Sequence, residues 1–108
     1  MRQENRAIKI SGEDVLFILS EIDYLLISLR NIARYYYHTD HYVSGSARQQ
    51  EAYCTETTEF IDRHAIVHRL AHLRKMLSEK MNLEVGADGM DDVERYTEKV
   101  SYWEKPGD

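Results

Sequence analysis

Three histidines recur at every fourth position in the second half of the sequence, at His64, His68 and His72. Two histidines at this spacing on an α-helix lie on one side and can bind the same transition metal ion. No glutamate lies between them to act as a general base, which excludes the H-E-x-x-H pattern of zinc peptidases. The row predicts a metal site, for an ion such as zinc, as one alternative. In the other alternative, the three imidazoles only border an apolar helix face.

A second group of reactive side chains is the run Tyr-Tyr-Tyr-His-Thr-Asp-His-Tyr at residues 35–42. Tyrosine is enriched among the side chains that dominate binding energy at protein interfaces. We therefore predict a partner-binding surface whose members are Tyr35, Tyr37, His41 and Tyr42. In the alternative interpretation, the first rings complete the core and the remaining ones form a solvated loop.

Acidic side chains occur in two pairs at three-residue spacing, Glu56 with Glu59 and Asp88 with Asp91. The pairs are similar to those with which all-α nucleotide pyrophosphohydrolases hold magnesium. A Mg-dependent hydrolase of that kind is therefore a further alternative. The chain has no glycine-rich phosphate loop and no nucleophile elbow, so we favour a non-enzymatic protein.

The elements that would position these residues are helices. Apolar residues recur at alternating three- and four-residue intervals from Val15 to Tyr36, and Ser11 is a suitable N-cap for the helix that they predict at about 12–38. Further patterns predict a second helix at about 47–81 and a third, capped by Asp88, at about 89–104. Residues 1–10 are polar and form an N-terminal arm.

The short connection between the first two helices makes them antiparallel neighbours. The predicted fold class is therefore all-α, with a long antiparallel helical hairpin and a shorter C-terminal helix in a single domain. The first half of the first helix is apolar around most of its circumference, which is more than a lone hairpin can bury. We predict a homodimer of the four-helix-bundle type, associating through Phe17, Tyr24 and Ile27.

The charge balance restricts the partners. Lys and Arg total 14 against 19 Asp and Glu, a formal charge of −5, which opposes binding to nucleic acid or to an anionic membrane. The lone Cys54 cannot form an intrachain disulfide, and no apolar run approaches the roughly 20 residues that span a bilayer. We therefore expect a cytoplasmic interaction module that acts as a regulator, inhibitor or adaptor.

Overall fold

The computed structural model describes residues 1–37 and 47–107. These residues are mostly helical and contain no β-strand, which confirms the all-α prediction. The elements in chain order are a 3-10 helix at Gln3–Asn5, α1 at Gly12–Tyr37, α2 at Ala47–Arg63, α3 at Ile66–Ser78 and α4 at Asp92–Thr97. Within the described part, none of these helices has the length and apolarity needed to cross a membrane.

Helix α1 begins where its capping signal predicts. The Asp14 backbone N–H donates to the Ser11 hydroxyl oxygen at 3.1 Å, which satisfies one of the amide groups left unpaired in the first turn. Glu13 and Asp14 place negative charge at the positive end of the helix dipole. The helix continues without interruption to Tyr37, the last described residue before position 47.

The single helix predicted at about 47–81 is observed as two helices, α2 and α3. Ala65 lies between them with a φ of 51°, in the left-handed region, so the helical hydrogen-bond pattern cannot continue through it. The Ala65 N–H instead reaches back three residues to the Asp62 carbonyl at 3.4 Å. The Arg69 N–H then bonds to the Ala65 carbonyl at 2.9 Å and starts the next helix.

The chain divides into two compact units. The helical unit, Ser11–Leu73, contains α1, α2 and most of α3. Its buried apolar side chains are Ile18, Leu25, Ile66 and Leu73. Gln49 is also buried there, and its amide donates to the Tyr36 backbone carbonyl. The terminal unit combines Met1–Ile10 with the chain from Arg74 onward.

A buried asparagine organises the terminal unit. The Asn5 amide nitrogen donates to the Asn82 carbonyl at 2.9 Å and to an Asp92 carboxylate oxygen at 2.7 Å. Its side-chain oxygen accepts from the Asn82 N–H at 2.7 Å. The Asn5 hydrogen bond and that from the Arg2 backbone N–H hold the pKa of Asp92 at about 2, well below its ordinary value. The predicted polar arm is thus a bonded part of this unit.

Helix α4 is shorter than the predicted helix at 89–104, and it has a different cap. Asp91 accepts from the Glu94 N–H at 2.8 Å, and the Glu94 carboxylate accepts from the Asp91 N–H, which together form a capping box. Asp88, the predicted cap, instead binds the Arg95 guanidinium at 2.7 and 2.9 Å. These bonds keep the pKa of Asp88 well below its usual range.

Replacing Asn5 by alanine should lower the free energy of unfolding by about 2 kcal/mol, because the Asp92 carboxylate and both Asn82 backbone groups each lose a hydrogen bond. Urea denaturation followed by circular dichroism measures this change. Gln3→Ala, at an exposed position of the same 3-10 helix, is the matched control and should have little effect. Equal effects of the two substitutions would show that Asn5 does not organise the unit.

Candidate functional site

Tyr24 lies at the centre of a group of side chains that joins α1 to α2 and α3. Its ring is 5.9 Å from that of Phe60, and its hydroxyl is 3.2 Å from Nδ1 of His64. The Arg69 guanidinium carbon lies 4.3 Å from the centre of the Tyr24 ring, a cation–π contact. Arg69 also forms a 2.7 Å ion pair with Glu21. Tyr24 therefore holds helices of the same chain together.

The other two residues predicted for association have different surroundings. The Phe17 ring meets the His72 ring edge-on, with centroids 6.0 Å apart, so it also contacts α3. Ile27 is 47% exposed, and Phe17 also keeps 41% of its surface exposed. The structure thus places Phe17 and Tyr24 in contacts within the chain, and association through the predicted set stays a prediction.

The three histidines of the predicted metal row are not on one helix. His64 lies in the interruption between α2 and α3, whereas His68 and His72 lie on α3. His64 and His72 meet aromatic rings of α1, and His68 is exposed. Among residues 1–37 and 47–107, no group of three or more His, Cys, Asp or Glu side chains is placed to hold a metal ion. Metal binding stays a prediction.

The tyrosine-rich segment is described as far as residue 37, so His41 and Tyr42 lie outside the described residues. Tyr37 packs edge-on against Tyr53 of α2, with centroids 5.2 Å apart. Tyr35 meets Tyr36 at 4.9 Å. Both Tyr35 and Tyr37 nevertheless keep more than 40% of their surface exposed. They contribute to the packing of this end of α1, and part of each ring remains exposed.

The two acidic pairs have different environments. Glu56 and Glu59 line a surface cavity of about 270 Å³ together with Asn31 and His64. Asp88 is paired with Arg95, and Asp91 caps α4, so both of these carboxylates already have structural roles. One pair thus faces a cleft, as the hydrolase alternative requires, whereas the other stabilises a turn and a helix end.

An apolar strip on the outer side of α1 lies outside the residues predicted for association. We call it the α1 row; its members are Val15, Leu19, Ile22, Leu26, Leu29 and Ala33. The first five are 37–52% exposed, and Ala33 is half-buried. Successive members are four or three residues apart, which is the spacing of a coiled-coil seam.

The α1 row lies beside the face that α1 buries. Ile18 and Leu25 are each only 8% exposed, and Ile32 and Tyr36 are half-buried. The sequence pattern joined these four to Val15, Ile22 and Leu29 in one stripe. In the structure, only part of that stripe is covered. Its exposed members, Val15, Ile22 and Leu29, lie in the α1 row together with Leu19, Leu26 and Ala33. The apolar spacing alone did not show which of these positions α2 and α3 would cover.

Comparisons of the chain with protein-family models, with curated proteins and with solved structures found no match. The interpretation of the site therefore depends on the chemistry and geometry of this chain alone.

Replacing Tyr24 by alanine should lower the free energy of unfolding by about 2 kcal/mol, because the contacts with Phe60, His64 and Arg69 are lost together. Thermal or urea unfolding measures the loss. Tyr102→Ala removes the same side chain at a position that is 69% exposed and should change stability by less than about 0.5 kcal/mol. If Tyr24→Ala proves as mild as this control, the group does not hold the helices together.

Proposed function

We propose that this chain is a non-enzymatic protein-interaction module of the cytoplasm whose α1 row pairs with a second copy of the chain. In this proposal, α1 packs as an antiparallel hairpin with the helices that follow it. Two hairpins then associate in a four-helix-type bundle. The observation that carries the proposal is the exposure of an uninterrupted seam of aliphatic side chains on a long helix.

The order of the contacts along α1 supports the hairpin. As the residue number along α1 increases, the residue number of its contact partner in the following helices decreases. This is the order expected of antiparallel neighbours. In order, the pairs are Phe17 with His72, Glu21 with Arg69, Tyr24 with Phe60, and Tyr36 with Tyr53.

The size of the exposed seam supports association. From Val15 to Ala33 it is about 27 Å long at the helical rise of about 1.5 Å per residue. Burying five half-exposed aliphatic side chains contributes about 1 kcal/mol each, or about 10 kcal/mol over two copies. The lost translational and rotational freedom costs about 4–15 kcal/mol. These terms are of similar size, so we expect reversible pairing that depends on protein concentration.

A different protein would bind at the tyrosine-rich end of α1. Tyr35 and Tyr37 are 46% and 42% exposed, and each is supported by an edge-on ring from a neighbouring tyrosine. Rings held in this way lose little conformational freedom on binding, which favours their use at interfaces. We propose that the dimer uses this end of α1 to bind a second protein and acts on it as a regulator, an inhibitor or an adaptor.

Replacing Leu26 by aspartate should abolish pairing, because it places a charge in the middle of the α1 row. Size-exclusion chromatography with light scattering should give a dimer mass for the parent chain and a monomer mass for L26D. A protein concentration of about 100 μM suits this test, because it lies well above a dissociation constant in the roughly micromolar range. Ser20→Asp adds the same charge at an exposed polar position of α1 and should remain a dimer. A parent chain that is monomeric at this concentration would overturn the proposal.

A further inference from the structure

The charges of α1 are divided between its two halves. Every acidic residue of the helix precedes Tyr24, and both of its basic residues follow it. The exposed charges are Glu13 and Asp23 in the first half and Arg30 and Arg34 in the second. Two copies of α1 aligned in parallel would bring like charges together along the whole row. Antiparallel alignment brings each acidic half against a basic half and also opposes the helix dipoles.

Asp23 and Arg30 occupy equivalent positions beside the α1 row. Each directly follows a row member, Ile22 or Leu29, and the two are seven residues apart. Seven residues are about two helical turns, so both side chains lie on the same flank of the row. In an antiparallel pair of helices related by a two-fold axis, this flank of one copy faces the same flank of the other.

We infer, on the basis of the proposed self-association, that two copies pair through antiparallel α1 helices about a two-fold axis between residues 26 and 27. Asp23 of each copy then lies opposite Arg30 of the other, so the interface contains two equivalent ion pairs. The same axis brings Leu26 of the two copies next to each other and places Leu19 of each copy close to the small side chain of Ala33 of the other. A second copy is the occupant that fits, because the strip and its flanking charges are complementary to themselves.

The charges also select the register of the seam. Moving one helix by a heptad along the other would keep the apolar side chains in contact, since the row repeats at that interval. That register, however, places Asp23 opposite Asp23 of the second copy, and like charges at such positions are destabilising. Asp23 and Arg30 therefore determine which of the apolar alignments forms.

Charge reversals at the two positions test this arrangement. D23R leaves two basic residues on the flank and R30D leaves two acidic ones, so in each variant the pairs become repulsive. The dimer dissociation constant, measured by sedimentation equilibrium, should rise about tenfold or more for each variant. The double variant D23R/R30D restores opposite charges and should pair as tightly as the parent chain. Glu104→Arg, an exposed charge reversal outside the helical unit, should have no effect.

Mixing the two single variants gives the most specific readout. An equimolar mixture of D23R and R30D should form a heterodimer tighter than either variant alone, because all four facing charges are then complementary. If the parent chain is dimeric but the single variants pair as tightly, or the double variant fails to recover, the antiparallel register is wrong while self-association stands. A parent chain that stays monomeric overturns both the inference and the proposed function.

Discussion

The apolar surface of α1 extends over two adjacent faces, and α2 and α3 cover one of them. Ile18 and Leu25 are buried, and Tyr24 connects the same side of α1 to Phe60, His64 and Arg69. The neighbouring face has the same helical spacing and aliphatic composition, but its side chains remain 37–52% exposed. Water disfavours a continuous aliphatic surface of this length, so burial of the second face would be favourable. This is the physical basis of the proposed pairing of two chains.

Polar contacts within the helical unit explain why α1 presents one face to its own chain and the other to solvent. Glu21 and Tyr24 both reach Arg69, and the Gln49 amide binds the backbone of Tyr36. These contacts occur near both ends of the packed face and limit the rotation of α1 about its axis. Rotation that buried Val15 or Leu29 would break them. The direction of the α1 row is thus a consequence of specific hydrogen bonds and ion pairs as well as of hydrophobic burial.

Much of the local structure could be predicted from the sequence, because it depends on short-range chemistry. The start of α1 follows from the Ser11 cap, and its length follows from the unbroken apolar period. The interruption at Ala65 could not be predicted in this way, since no glycine or proline marks it and the apolar spacing continues across it. At α4, Asp88 was predicted as the cap, but Asp91 caps the helix and Asp88 pairs with Arg95, a contact that local spacing does not indicate.

The candidate site was less predictable than the fold, because it depends on which of two similar stripes the other helices cover. Aromatic character suggested Phe17 and Tyr24 for association, yet large rings with polar edges also make good contacts inside a chain, as they do here. The exposed seam consists of plain aliphatic residues, which have no chemical feature that separates an interface from a core. Only the placement of α2 and α3 distinguishes them.

The most direct test of pairing through the α1 row is the dependence of thermal stability on protein concentration. Association stabilises the folded chain by mass action, so the Tm of the unmodified protein should rise by several degrees when its concentration is increased about a hundredfold. Circular dichroism in cells of different path length measures this over the required range. A Tm that stays constant across that range would contradict the account, because the folded chain would then be complete without a second copy.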